Sequence, residues 1–342
     1  MNAPHHALAA LLDALARTTR QYPFKVWGFG ESIAMEGLLA AGGAHRSWAT
    51  DLLVRWAHAA EPLAAEPLAH VAPGVPLLQV YAATGDPVLL ARARELAAVL
   101  AGLRTGAHGA RIHRPDLAGW EHEVWVDCLH LDGPFLAALA HVTGEPAWAD
   151  HAANLLLTHA RVLQDDRTGL FSHGFDDAIG RANGIHWGRG QGWALLGLAD
   201  TAAALPAGHP AQPEIGQRLA ALVVGLAATE AAPGAWHTVV DAPATYFEPS
   251  VGAFVALGVG RALLHGLVAR EYAPLVHRAW VATAAGVTPD GALAGVSDAT
   301  PVGADAAHYG GRGRGVFPWG QGPALLAAIE VAPQSEEETT SD

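Results

Sequence analysis

A turn that occurs twice at a fixed spacing constrains this chain most. Tyr81-Ala-Ala-Thr-Gly-Asp-Pro87 is matched 59 residues on by Ala140-His-Val-Thr-Gly-Glu-Pro146, and Gly74 and Leu77 are matched by Gly133 and Leu136 at the same offset. The chemistry of the turn is local. Gly85 and Gly144 can take the left-handed conformation that ends a helix, and Pro87 and Pro146 suit the first position of the next one. Around these turns lie Ala- and Leu-rich stretches with helical spacing, such as 88–103 and 147–163, with Arg, Glu, Asp and His on the opposite face. One helix hairpin cannot bury its apolar face alone, so repeated hairpins stack.

The same spacing predicts helices near residues 5–19, 29–42, 44–60, 73–84, 87–104, 123–142, 146–164, 190–204, 211–229, 247–268, 272–286 and 319–331. They pair into six hairpins. Short Gly-rich stretches with β-type alternation at 109–113, 169–173 and 234–237 each precede a helix start that carries polar and aromatic residues, at 123–127, 187–193 and 246–250. Residues 290–296, before Trp319, read as a further member. If the hairpins close in a ring, these loops share one rim. The expected architecture is all-α, an (α/α)6 barrel with its site at the loop-bearing end; an open α-solenoid is the alternative. No Ser- or Pro-rich linker divides the chain, so residues 1–333 are expected to form a single domain, followed by a solvated acidic tail at 334–342.

Composition narrows the partners. The net charge is -13, Lys25 is the only lysine, and no basic run occurs, which argues against nucleic acid and against an anionic membrane surface. The apolar run 219–228 is too short to span a bilayer. Cys128 is the only cysteine and no HExxH pair is present, so neither a disulfide framework nor a metal site is expected, and no cofactor is implied. The first residues lack the basic and apolar regions of a secretory signal, and a cytoplasmic location is expected.

Two segments place aromatic rings beside a lone charge: Glu121-His-Glu-Val-Trp-Val-Asp127 and Trp187-Gly-Arg-Gly-Gln-Gly-Trp193. An unpaired charge is costly in a core, whereas a sugar site uses indole faces, a forked guanidinium and a proton-carrying Asp. An acidic sugar fits that combination. Asp127 falls on one stripe with Leu131 and Phe135, so it points inward; as a helix-start carboxylate it would also complement the helix dipole. The alternating glycines of the second segment form either a tight turn anchored by core tryptophans or a backbone that a ligand approaches closely. Of the 19 histidines, His173, beside the Gly174-Phe-Asp turn, is singled out; His113 and His237 hold similar places, so a structural role at a repeated turn is the alternative. Glu248 is either a second carboxylate or a brace at its helix start. The stretch His308-Tyr-Gly-Gly-Arg-Gly-Arg314 reads as a basic lid or a plain surface loop.

At these residues the chain resembles the unsaturated uronyl hydrolases of glycoside hydrolase families 88 and 105, and most the unsaturated rhamnogalacturonyl hydrolases. The matching segments are Val124-Trp-Val-Asp127, the stretch 163–173, Trp187-Gly-Arg-Gly-Gln-Gly-Trp193, Tyr246-Phe-Glu-Pro-Ser250 and the Gly-Pro-Ala-Leu-Leu-Ala stretch at 322–327, in order over most of residues 70–330. The resemblance implies an (α/α)6 barrel without metal. It also implies that Asp127 is both acid and base, with His173, Trp187, Arg189 and Trp193 lining a site for an unsaturated uronic-acid oligosaccharide; Trp125, beside Asp127, is added from the aromatic pattern itself. Hydration of the C4=C5 bond would then release the terminal sugar, with Arg189 on its carboxylate or a nearby oxygen. The family has Asn at the place of Gln191, and an upstream Asp where residues 68–74 have none; His70 is the candidate substitute. The rival readings are an inverting glycosidase using Asp127 and Glu248, an epimerase using His173 and His237, and a binding protein without turnover.

Overall fold

The computed structural model describes residues 3–26, 30–59 and 73–332. His70 and the segment 334–342 lie outside the described residues. Helices α1 (Ala3–Thr19), α2 (Ser32–Ala41), α3 (Gly43–His58), α4 (Gly74–Thr84), α5 (Pro87–Gly102), α6 (Cys128–Thr143) and α7 (Pro146–Leu163) are followed by α8 (Gly188–Ala204), α9 (Gln212–Ala228), α10 (Pro249–Leu264), α11 (Ala273–Gly286), the short α12 (Ala306–Gly310) and α13 (Pro318–Glu330). Helices α2, α4, α6, α8, α10 and α13 pack in that order and α13 returns to α2, so six inner helices form a closed ring. The outer helices α1, α3, α5, α7, α9 and α11 lean on it, each burying only one stripe. The architecture is an (α/α)6 barrel.

The repeated turn behaves as its residues require. Gly85 and Gly144 both sit at φ 70° and cap α4 and α6, while Pro87 and Pro146 open α5 and α7. The inner helices then approach at glycines. A Cβ on Gly74 would lie 2.4 Å from Phe135, one on Gly133 2.6 Å from Thr201, one on Gly192 2.4 Å from Phe254 and one on Gly322 2.6 Å from the Ala34 nitrogen.

The Gly-rich stretches prove to be turns held by single bridges, such as Thr105 with Arg111 and Gln164 with Phe171, rather than strands. Their glycines sit against the outer helix of the following hairpin. A Cβ on Gly169, Gly234 or Gly291 would meet the Ala221, Arg278 or Ala14 carbonyl oxygen at 2.1 Å. True strands are short and lie on the rim: β1 (Glu123–Trp125), β2 (Gly174–Asp176) and β3 (Arg181–Ala182) in one antiparallel sheet, β4 (Val296–Ser297) and β5 (Arg314–Gly315) in another. The expected helix over 123–142 therefore starts only at Cys128. Residues 123–125, with Val and Trp favouring an extended chain, pair with β2 instead.

The inner helices begin at this rim and end at the opposite one. There Arg261 of α10 bonds Asp200 of α8 at 2.7 Å and Glu330 of α13 at 2.8 Å. Glu36 of α2, buried beside them, keeps one carboxyl oxygen without a hydrogen bond. Burial, opposed by Arg261 and reinforced by Asp200 and Glu330, pushes the Glu36 carboxyl up to about 8. A carboxyl with a raised folded-state pKa favours folding while protonated, and that contribution is lost as pH rises from the ordinary carboxylate range through about 8. Glu36→Gln mimics the protonated form. It should match wild type near pH 5 and exceed it by roughly 2–4 kcal/mol near pH 9 in urea unfolding. A stability difference independent of pH would show that Glu36 ionises without cost.

Candidate active site

The β1–β2 register, with Trp125 opposite Gly174, and the bond from the Val126 nitrogen to the His173 carbonyl set Asp127 beside His173. Asp127 caps α6 by position, but its side chain makes no capping bond. The carboxyl is 1% exposed and neither oxygen has a hydrogen bond; His173 Nε2 lies 3.4 Å from Oδ2. Burial holds the His173 imidazole below its ordinary value, against the opposing pull of Asp127, so the ring is neutral near pH 7. Trp187, the N-cap of α8, lies 4.3 Å from the His173 ring, and its buried indole N–H also lacks a partner. Four buried polar atoms on these three residues thus have no hydrogen bond within the protein, which suits a polar ligand rather than a core.

Trp125 stands edge-on to His173 at 5.4 Å and stacks on His113 at 4.1 Å; its indole nitrogen donates to Glu123 at 2.6 Å. His113 also meets the Cys128 sulfur at 3.5 Å, so it supports Trp125 from behind.

Three expected site residues have other tasks in the structure. Trp193 lies within α8, stacked on His130 of α6 and edge-on to Phe254 of α10, inside the barrel core. The segment read as a Gly-rich turn is the first two turns of α8, and its glycines admit protein side chains: Gly188 faces Val251, Gly190 faces Val126 and Gly192 faces Phe254. The Glu248 carboxylate accepts from the Ser297 nitrogen at 3.1 Å, the Ser250 hydroxyl at 2.7 Å and the Tyr246 hydroxyl at 3.2 Å, with Arg189 at 3.8 Å. It braces β4 to the start of α10.

Arg189 completes that brace. Its guanidinium lies over Trp187 at 4.3 Å and donates to the Ser297 carbonyl at 3.1 Å and hydroxyl, the Asp298 carbonyl at 2.8 Å and the Thr300 hydroxyl at 3.2 Å. A fork so engaged fastens the 297–300 segment over α8 and has little left for a sugar carboxylate. His237 Nδ1 donates to the Thr245 carbonyl, 2.6 Å away, and the ring stacks on Phe247, so His237 is engaged away from His173. Gln191 brackets the Phe171 nitrogen and carbonyl at 2.8 and 2.7 Å and holds the 164–171 turn.

Sequence reasoning missed Tyr309. The stretch read as a basic lid or a plain surface loop contributes to α12 and β5, Tyr309 is fully buried in it, and Arg312 pairs with Asp298 at 2.7 Å. The Tyr309 hydroxyl meets His173 Nδ1 at 2.8 Å. An aromatic residue amid glycines was the only local signal. Among the described residues no group of three metal-ligating side chains occurs, and no helix is long and apolar enough to cross a membrane.

The chain has relatives among known proteins. The unsaturated rhamnogalacturonyl hydrolase YesR of Bacillus subtilis is 28% identical over 332 residues, 95% of this chain and 94% of that protein. An unsaturated 3S-rhamnoglycuronyl hydrolase of Alteromonas is 26% identical over 49% of this chain and 42% of that one. In fold, a possible member of the GH105 family from Salmonella enterica superposes with a TM-score of 0.84 at 22% identity, covering 98% of this chain and 95% of its own. The unsaturated glucuronyl hydrolase of Bacillus sp. GL1 gives 0.76 at 16% identity over 97% of each chain. The family model described as Glycosyl Hydrolase Family 88 matches residues 17–334, and the chain belongs to that family.

Proposed function

We propose that this glycoside hydrolase removes the terminal 4-deoxy-4,5-unsaturated uronic acid from lyase-generated oligosaccharides by hydrating the C4=C5 bond. The observation that carries the reading is that Asp127, at the loop-bearing rim, is buried with both oxygens free of hydrogen bonds, while Glu248, the other carboxylate expected there, is held by surrounding donors. Glycosidases that displace the leaving group directly use two carboxyl groups across the scissile bond. One group suffices for an enol ether. Asp127 gives its proton to C4, and positive charge develops at C5 and the ring oxygen. Water adds at C5 and its proton passes to the Asp127 carboxylate. The hemiketal opens to a ketone at C5 and a hemiacetal at C1, which expels the leaving sugar as the C1 aldehyde forms.

Other groups assist. His173 Nε2 faces the carboxylate that remains after proton transfer. The inner helices begin at this rim, and their positive ends favour an anionic sugar in a protein that carries -13 overall. The relatives' names, rhamnogalacturonyl and rhamnoglycuronyl, make a rhamnosyl leaving group the first to test. The single buried thiol suits the reducing cytoplasm, where we place the enzyme.

Turnover in D2O should put deuterium at C4 and bleach the ultraviolet band of the enuronate. Asp127→Asn should lower turnover by about 100-fold or more while the helical circular dichroism is unchanged. Near-normal turnover by the variant, or cleavage without label at C4, would overturn the mechanism.

Arg189→Lys keeps the charge but cannot span four oxygens. It should lower the melting temperature and reduce kcat/KM roughly 10-fold by loosening the 297–300 segment, within the usual range for a broken buried network. Reducing the sugar carboxyl to an alcohol should cost activity independently, so that the two losses multiply. If the second change costs nothing in the variant, Arg189 holds the carboxylate directly.

A further inference from the structure

Resting on that reading, we infer that Tyr309 is a positioning residue, which fixes the tautomer of His173 so that an N–H, and not a lone pair, faces Asp127. The inference follows from an unbroken series of hydrogen bonds whose donors can each be identified. Asn183 Oδ1 meets the backbone nitrogens of Gly174 at 3.4 Å and Ile185 at 3.3 Å. Backbone nitrogens only donate here, so the amide orientation is set and the NH2 group lies on the other side. That group donates to the Gly303 carbonyl at 3.0 Å and to the Tyr309 hydroxyl at 3.2 Å. The Gly303 nitrogen donates to the same hydroxyl at 3.0 Å.

A hydroxyl has two acceptor sites and one proton. Both acceptor sites of Tyr309 are filled, so its proton points to the remaining neighbour, His173 Nδ1, at 2.8 Å. Nδ1 is therefore the acceptor in a neutral imidazole, and the ring proton sits on Nε2, 3.4 Å from Asp127 Oδ2. The contact is long at rest, as catalytic hydrogen bonds commonly are before a substrate is seated. Burial pushes the Tyr309 phenol up to about 12, so it stays a donor throughout the working range.

The consequence is directional. With the opposite tautomer, the Nε2 lone pair would face the Asp127 carboxylate after it protonates C4, and repulsion would raise the barrier to that step. Tyr309 is held in place by Gly303 and Asn183, and the neighbouring Val302 packs closely on Gly174, 2.6 Å from where a Cβ there would lie. The chain of bonds links segments 136 residues apart, so it assembles only in the closed barrel.

The test uses protein labelled with 15N in its histidine rings, with the His173 signals found by their loss in His173→Gln. Wild type should show His173 Nδ1 as an unprotonated ring nitrogen and Nε2 as protonated, and Tyr309→Phe should move protonation towards Nδ1. With an unsaturated disaccharide, Tyr309→Phe should lower kcat about 10-fold or more while KM stays within about 2-fold. His173→Gln presents an amide N–H without a tautomer choice, so adding Tyr309→Phe to it should cost no further kcat. Three results would overturn the inference: a protonated Nδ1 in wild type, an unchanged tautomer in Tyr309→Phe, or an equal kcat loss from Tyr309→Phe in the Gln background. The nitrogen measurement needs no substrate, so its failure is separable from failure of the proposed reaction.

Discussion

Six helices close into a ring only if each can lie against two others with its axis nearly aligned, and side chains at the contacts decide whether they can. In this chain the limiting contacts are made by glycine. Gly322 of α13 faces the Ala34 backbone of α2, and Gly197 of α8 faces the Leu129 carbonyl of α6, where a Cβ would come within 2.6 and 2.4 Å. A methyl group at either place would push two inner helices apart, and in a closed ring no neighbour can yield without displacing the next. The rim inherits its geometry from this closure, because β1, β2 and β4 are short segments stretched between helix ends whose positions are already set.

Much of this was legible in the sequence where the cause is local. The Thr-Gly-Asp/Glu-Pro turn encodes its own helix stop and start, and the helix ends that flank it fall within two residues of their expected bounds, whereas the far end of α6 begins five residues late. Asp127, His173 and Trp187 were nameable together because each stands at a helix start or turn on the loop-bearing rim. Trp193 shows where such reading fails. Taken as part of a loop, it belongs with Trp187 at the site; as the sixth residue of α8 it lies about 9 Å further down the axis than Trp187 and round to another face. The glycines between them suggested ligand access, but they serve neighbouring protein side chains.

Arg189 and Tyr309 were illegible in role for a different reason. A guanidinium near two indoles has the composition of a carboxylate clamp. Its actual partners, Ser297, Asp298 and Thr300, stand more than a hundred residues away and offer two backbone carbonyls and two hydroxyls, which no local pattern around Arg189 reveals. Tyr309 likewise gains meaning only from Asn183 and His173. Local sequence names the groups that do chemistry more readily than the groups that orient them, since orientation comes from distant backbone.

The seam between α1 and α13 has a consequence for biosynthesis. Gln321 bonds the Gly291 carbonyl at 2.9 Å and reaches the Thr19 hydroxyl at 3.4 Å across 302 residues, while the Gly291 turn lies against the Ala14 carbonyl. On the ribosome, the hairpins can form and stack as they emerge, but the earliest must wait with an unpaired flank until α13 is released. During that interval α2 exposes the face that α13 later covers, a row of Ile33, Ala34, Gly37 and their neighbours. Translation of the later hairpins is therefore the window in which this protein is most exposed to chaperone capture or to pairing with a second nascent copy.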